Sequence, residues 1–221
     1  MGKTLKLATL LSLVALVTAG CATNRSEVQL SVPLATTAQV SAPKGVSVVI
    51  RSVKDERLFE TAPSDPSIPS LGFEGSANAT QELKSRAIAR KRNTFGKALG
   101  DVVLQEGRTV PGIIRETLTT AFEQAGYKVT PAAEAGSSPL VVDVRITRFW
   151  AWMTPGFWAL TFEARIETDL EVQGRHSVVS IKAYANDSRQ LGTDSAWIDI
   201  VSKGLQEYQA QATAKFSSLL P

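Results

Sequence analysis

The fold is decided by two adjacent stretches, LVVDVRITRFWAW (residues 140–152) and FWALTFEARIETDLEV (residues 157–172). In both, even-numbered positions are mostly apolar and odd-numbered positions mostly polar, which is typical of β-strands with one face in a core. Thr154, Pro155 and Gly156 separate them with turn chemistry, so the pair predicts an antiparallel hairpin. A three-residue loop places Trp152 opposite Trp158 and keeps the apolar even positions on one face.

The flanking sequence extends this pattern in both directions. Residues 46–53 form a β-branched run of strand length, and residues 177–185 continue the alternation as a third antiparallel strand. Apolar residues recur at three- and four-residue intervals over 109–125 and again over 193–219, which predicts two amphipathic helices. The order predicts an α+β fold, a two-layer sandwich in which two helices pack on one face of a mostly antiparallel sheet.

A long segment, residues 55–107, interrupts this order. Several prolines and glycines break any regular pattern in its first part, and a basic run follows. We therefore predict an irregular basic insertion in a single α+β domain that covers residues 45–221, and expect it to be the least ordered part after the N-terminal segment.

The first residues predict export. A basic start, an apolar run at 7–17 and small residues just before Cys21 are typical of a secretory signal peptide, here residues 1–20, which is cleaved. The segment resembles the lipobox of bacterial lipoproteins. That resemblance implies that the Cys21 thiol is diacylated and the new amino terminus acylated with a fatty acid such as palmitate. Ala22 is similar to the sorting pattern of outer-membrane lipoproteins, which implies a lipid-anchored protein that faces the periplasm.

The mature chain then begins with a tether. Residues 21–44 are rich in Ser, Thr, Ala and Pro, although the alternation at 27–32 predicts a short strand added to a sheet edge. Loss of Lys3 and Lys6 with the signal leaves 22 basic side chains against 21 acidic ones, so the processed chain is nearly neutral. Cys21 is the only cysteine, so the domain has no disulfide and depends on packing.

Several short motifs resemble the YajG-like outer-membrane lipoproteins. They are the strand and charged run at 46–57, the helix entry at 107–110 with its exit at 125–129, the strand at 140–146 and the helical C-terminus. The chain departs from this family in the insertion at 55–107 and in the aromatic hairpin around Pro155. The resemblance implies fold and envelope location more than activity, since related small domains occur in auxiliary lipoproteins of envelope transport and assembly systems.

The residues do not predict an enzyme. His176 is the only histidine, and Cys21 is committed to lipid, so we expect neither a metal site nor a cofactor. His176 and the adjacent Ser177 do not suggest a catalytic pair, because neighbours on a strand point to opposite faces of the sheet. We interpret His176 as a turn residue.

An aromatic cluster at the hairpin is the first candidate contact surface. Residues on the core face are expected to pack under a helix, whereas Phe149, Met153 and Phe157 are expected to project the other way and to contact a partner protein or the membrane interface. The candidate set is Phe149, Trp150, Trp152, Met153, Phe157 and Trp158.

A basic run in the insertion is the second candidate surface. It suggests either a solvated loop face or a contact with anionic lipid headgroups. The set is Lys84, Arg86, Arg90, Lys91, Arg92 and Lys97.

Together these features predict a non-catalytic assembly or binding module of the cell envelope. Its partners are the membrane, through Cys21, and an envelope protein, with self-association left open and nucleic acid excluded by compartment. The alternative is an auxiliary ligand-binding lipoprotein of a lipid or polysaccharide transport system, which a deep apolar pocket between helix and sheet would favour.

Overall fold

The computed structural model describes residues 25–34, 41–72, 75–93, 95–136 and 138–219. The signal at 1–20, Cys21 and part of the tether lie outside the described residues, so those predictions stay predictions. Within the described ranges, no helix combines the length and the apolar character needed to cross a membrane.

Eight strands and three α-helices occur in the described part of the chain. The helices are α1 (Gln81–Arg86), α2 (Val110–Gln124) and α3 (Asp194–Ser217). The strands are β1 (Ser26–Val28), β2 (Ser47–Asp55), β3 (Ala87–Arg92), β4 (Ala98–Leu104), β5 (Lys128–Val129), β6 (Leu140–Pro155), β7 (Leu160–Val172) and β8 (Val178–Arg189).

All eight strands join one sheet around β6, the longest of them. β7 pairs antiparallel along one edge of β6, and β8 pairs antiparallel with β7. The other edge of β6 is shared, because β2 runs parallel to its first half and β3 meets its second half where Ala89 lies opposite Ala151. β5 lies beyond β2, and β4 and β1 lie beyond β3.

Helices α2 and α3 cover one face of the sheet, as the sequence predicts. The Thr109 side chain caps α2 by accepting a hydrogen bond from the Gly112 N–H (3.2 Å), and Gly126 follows the helix at φ +87°. The two helices also pack against each other, because the ring of Phe122 on α2 stacks on that of Phe216 on α3 with centroids 3.7 Å apart. The α+β sandwich with helices on one face is therefore confirmed, with α1 and further strands added.

The predicted hairpin register is wrong. β6 continues past Trp152, which lies opposite Glu163, and the last pair is Pro155 with Leu160. The loop therefore comprises residues 156–159 and is one residue longer than predicted, and Trp158 lies in it rather than in a strand.

A β-bulge also inverts the predicted faces of β6 beyond Thr147, whereas the apolar even positions of β7 from Phe162 to Val172 lie in the core as predicted. The β6–β7 register shifts between Ile146 and Arg148, so alternation restarts with the opposite parity after Thr147. Phe149 consequently joins the core under the helices, and Met153 packs partly buried against it, whereas both were expected to project away from that layer. Trp150 and Trp152 point to the other face of the sheet.

The insertion is more regular than the sequence suggests. Residues 55–107 contain α1, β3 and β4, so the prediction of an irregular segment is wrong for its second half. The first half folds over the sheet face opposite α2 and α3, where Leu71, Trp150 and Trp152 form a second buried cluster with Phe59 packed against it. Part of the sheet is thus buried on both faces.

Candidate functional site

The structure divides the six predicted aromatic-cluster residues into three groups. Phe149 is buried under the helices with Met153 beside it, and Trp150 and Trp152 are buried in the second cluster. Only Phe157 and Trp158 remain at the surface, 90% and 82% exposed. A candidate contact surface therefore has to be built on these two residues and their neighbours in space.

The insertion explains why Trp150 and Trp152 cannot contribute to an exposed contact surface. The Trp150 indole N–H donates to the Pro66 carbonyl (3.2 Å), and the Phe59 ring meets the Trp150 ring edge-on at 6.0 Å. The Arg165 guanidinium lies over the Trp152 ring at 5.6 Å. Both indoles have the polar and aromatic partners of structural residues.

Three loops with exposed apolar side chains lie at the same end of the sheet. Because β3 and β6 run parallel with Ala89 opposite Ala151, the β3–β4 loop and the β6–β7 loop leave the sheet at about the same level. β8 ends there as well, since Arg189 pairs with Leu160. We call the exposed apolar residues of these loops the apolar tip: Phe95 (92% exposed), Phe157, Trp158 and Leu191 (71%).

Local contacts fix the β6–β7 part of this apolar tip. The Gly156 N–H donates to the Ala159 carbonyl (2.9 Å) and closes the loop. Phe157 and Trp158 then pack edge-to-face, with ring centroids 4.8 Å apart and an interplanar angle of 87°. The two rings form one apolar unit that projects beyond the sheet.

The first described residues are held close to this end. β1 pairs parallel with β4, with Ser26 opposite Val102, and overlaps the edge strand predicted at 27–32. The Ser26 hydroxyl donates to the Asp194 carboxylate (2.9 Å), and the Lys91 ammonium lies 3.0 Å from the same carboxylate. Since Asp194 is the first residue of α3, this cluster joins the N-terminal segment to both β3 and the helix layer.

The charge cluster also shifts a pKa. Partial burial alone would raise the pKa of Asp194, but hydrogen bonds from Lys91 and Ser26 together with the ammonium charge outweigh it. The pKa of this carboxyl group therefore lies below its usual range, and Asp194 is an anion at neutral pH.

The predicted basic residues do not form one exposed patch. Arg86 pairs with Glu27 (2.6 Å), Lys91 with Asp194, and Arg90 donates to the Gly72 carbonyl (2.6 Å). Arg92 donates to the Pro63 carbonyl (2.7 Å). Lys84 lies on α1, whereas Lys97 is exposed in the β3–β4 loop close to Phe95. The structure thus brings only Lys97 to the apolar tip.

The space between the helices and the sheet is filled. Phe122, Leu118 and Ile146 are fully buried there, and the buried Tyr208 hydroxyl bonds the Thr168 hydroxyl (2.6 Å). That burial, only partly offset by the hydrogen bond, raises the pKa of Tyr208. A groove of about 680 Å³ lies instead at the surface, where α2 borders the start of β6.

Two groups in this groove have chemical interest. The Arg115 guanidinium donates to the Ile50 carbonyl (2.5 Å) at its wall. The Thr130 hydroxyl is buried without a hydrogen-bond partner among the described residues. His176, by contrast, is exposed in the β7–β8 turn, and the described residues contain no group of three or more His, Cys, Asp or Glu placed to hold a metal ion.

Sequence reasoning missed two members of the apolar tip. Phe95 and Leu191 are single apolar residues in polar loops, and isolated exposed apolar residues are common at protein surfaces. Their significance comes from the sheet order, which brings loops more than 60 residues apart in the chain to the same end.

No family model and no curated protein matches the chain. Solved structures of similar arrangement include an uncharacterised protein with 10% identity and a TM-score of 0.46, which covers 89% of this chain and 99% of that one. A Xanthomonas campestris protein of the DUF330 family has 14% identity and a TM-score of 0.36 over 89% and 90% of the two chains. A lipoprotein of Neisseria meningitidis has 12% identity and a TM-score of 0.29 over 73% and 96%. Similarity at this level supports no inference about function.

Proposed function

We propose that this protein is a lipoprotein of the YajG-like type, anchored to the outer membrane through acyl chains on Cys21 and facing the periplasm. Its α+β domain acts there as a non-catalytic assembly or binding module. The signal-like segment before Cys21 and the position of β1 are the features that support this proposal.

The observation that carries the proposal is the entry of the N-terminal segment into the sheet. β1 begins at Ser26, five residues after Cys21, and is hydrogen-bonded to the β4 side of the sheet, where Gln105 N–H donates to the Val28 carbonyl (3.0 Å). A domain joined to its lipid anchor by so short a connection works at the membrane surface. Two acyl chains hold a protein on a bilayer stably.

A binding role is supported by the free edge of β8. This strand is 12 residues long and pairs only with β7 among the strands of the described chain. The unpaired backbone groups of a long edge strand are a template for a strand of another protein. Tyr184 is 45% exposed on this strand and marks the surface that such a partner would contact.

The test examines both the lipid anchor on Cys21 and the free edge of β8 in the native cell envelope. The wild type should incorporate an alkyne-labelled fatty acid and fractionate with the outer membrane, whereas Cys21→Ser should remain unlabelled and leave that fraction or accumulate as precursor. A photo-crosslinking amino acid at Tyr184 should give a discrete adduct in the lipidated protein.

The matched control places the same crosslinker at Ala210, an exposed position on α3. Adducts of equal yield from both positions would contradict a specific β8 edge. Unchanged fractionation of Cys21→Ser, with no fatty-acid label on the wild type, would overturn the lipoprotein proposal.

A ligand-carrying role is the second candidate, and the surface groove beside α2 is the observation that favours it. The groove combines apolar walls with Arg115 and the unpartnered Thr130 hydroxyl, which suits an amphipathic molecule with an anionic or hydrogen-bonding group. Native mass spectrometry of the purified protein distinguishes the candidates, because a retained small molecule points to the carrier.

A further inference from the structure

We propose that the apolar tip, formed by Phe95, Phe157, Trp158 and Leu191, is a membrane-docking surface that inserts into the interfacial layer of the leaflet holding the acyl chains of Cys21. The proposal deepens the proposed function, since it takes Cys21 as the anchor. It adds a fixed orientation of the domain on the bilayer.

The first support is the shared position of the exposed residues. A single exposed apolar side chain needs no explanation, and Leu34 and Leu58 are examples elsewhere on the surface. The apolar tip differs because three separate loops present their large apolar residues at one end of the sheet. A planar partner contacts all three loops at once.

The second support is the direction in which the chain enters β1 and the short sequence distance from there to Cys21. Cys21 precedes Arg25 by four residues, which span at most about 14 Å when extended. β1 runs parallel to β4 and therefore away from the β3–β4 loop, so the chain enters β1 from the side of the apolar tip. The 16 residues of β6 reach up to about 50 Å at about 3.3 Å per residue, so an anchor on this connection cannot bring the opposite end of the sheet to the bilayer.

The third support is the chemistry of the side chains. Tryptophan concentrates at the boundary between headgroups and acyl chains, and phenylalanine and leucine enter the apolar layer below it. Lys97 is exposed in the same loop as Phe95 and can lie against anionic headgroups while its stem follows the apolar surface. A bilayer therefore fits this surface better than a second copy of the chain, because the anchor itself delivers the bilayer to it.

Tryptophan fluorescence tests the proposal directly. The chain has four tryptophans, and Trp150, Trp152 and Trp197 are at most 6% exposed, so Trp158 is the one that a membrane can reach. The chain from Cys21 onward is coupled through its only thiol to a maleimide-headgroup lipid in phosphatidylethanolamine vesicles with a minority of phosphatidylglycerol. Brominated acyl chains in these vesicles should quench the emission of Trp158, and Trp158→Phe should lose that quenching.

The matched control moves the probe to the opposite end of the sheet. Val178→Trp in the Trp158→Phe background places an indole at a 47% exposed position beside the β7–β8 turn, and it should not be quenched. Equal quenching of the two positions, or no quenching of Trp158, would overturn the proposal. A shift of Trp158 emission that depends on protein density, without quenching by bromine, would assign the apolar tip to a second copy instead.

A second set of variants tests the cooperation of the loops. Phe95→Ser with Phe157→Ser should reduce the quenching of Trp158, whereas Leu58→Ser, at an exposed position away from the apolar tip, should leave it unchanged. Quenching that survives the double substitution would contradict a surface built from several loops. Chemical coupling replaces cellular acylation, so failure here is distinguishable from failure of the lipoprotein proposal.

Discussion

Arg57 shows how one buried charge can hold a long insertion in place. Its side chain has no exposed area and donates to the Asp55 carboxylate at 2.7 and 2.8 Å. It also donates to the carbonyls of Lys84, Ala87 and Phe149 at 2.7 to 2.9 Å. One guanidinium thereby links the start of the insertion to α1, β3 and β6.

Replacing Arg57 by methionine should strongly destabilise the protein. The variant leaves the Asp55 carboxylate and three carbonyls without their donor, and breaking one side of a buried charge pair typically costs about 3–5 kcal/mol. Urea unfolding of the two proteins measures the difference. Arg51→Met is the control, because Arg51 pairs with Asp143 at the surface and should change the midpoint little. Equal losses from both variants would contradict a special role for Arg57.

The sequence contains no sign of this role. Arg57 stands in the charged run at 55–57, which reads as the end of a strand. Apart from Asp55, the groups it bonds are 27 to 92 residues away, so only the folded chain brings them together.

At the scale of elements, helices were easier to predict than strand faces. Thr109 and Gly126 bound α2 where capping chemistry predicts, because a cap depends on residues close in sequence. The bulge at Thr147 depends on pairing with β7, so the alternation of apolar and polar residues along the sequence does not predict it. The continuous apolar run from Phe149 to Trp152 does indicate that this part of β6 is buried on both faces, because such a strand loses the alternation of apolar and polar residues.

The docking of β1 gives a prediction about pH. The folded pKa of Asp194 lies below the unfolded value of about 3.9, so the stabilisation from Ser26 and Lys91 is complete above that pH and is lost as the pH falls through the folded pKa. Amide protection in β1 should therefore decrease in acid before protection in α3 does. Hydrogen exchange followed by mass spectrometry measures both.

Asp194→Asn should remove this acid sensitivity of β1 and give low protection already at neutral pH. The neighbouring pairs Arg25–Asp101 and Glu27–Arg86 also face β1 and remain in the variant. An unchanged acid transition in Asp194→Asn would assign the effect to those pairs.

At the scale of the whole molecule, the sequence predicted the helix layer on one face of the sheet but not the insertion layer on the other face. The helix layer follows from periodicities within single elements, and Cys21, Phe157 and Trp158 stand out as local signals. The insertion layer depends on distant contacts among Phe59, Leu71 and Trp150, and the apolar tip depends on parallel pairing of β3 with β6. The insertion layer and the apolar tip could be predicted only from the order of the strands in the sheet, and no local sequence pattern contains that order.

These two layers should differ in how they respond to a mutation. Trp150→Ala removes from β6 a large side chain on which the insertion packs, a type of change that typically costs about 3–5 kcal/mol in a core. The second cluster is small beside the helix-side core, so amides of residues 57–72 should lose protection from hydrogen exchange while α3 keeps most of its own.

Trp158→Ala is the matched control, because its indole is exposed and its loss should leave both layers protected. A uniform loss of protection across both layers in Trp150→Ala would mean that the sheet opens as one cooperative unit. Selective loss, in contrast, would mean that residues 57–72 form a separable cover on a sheet whose helix-side core persists without it.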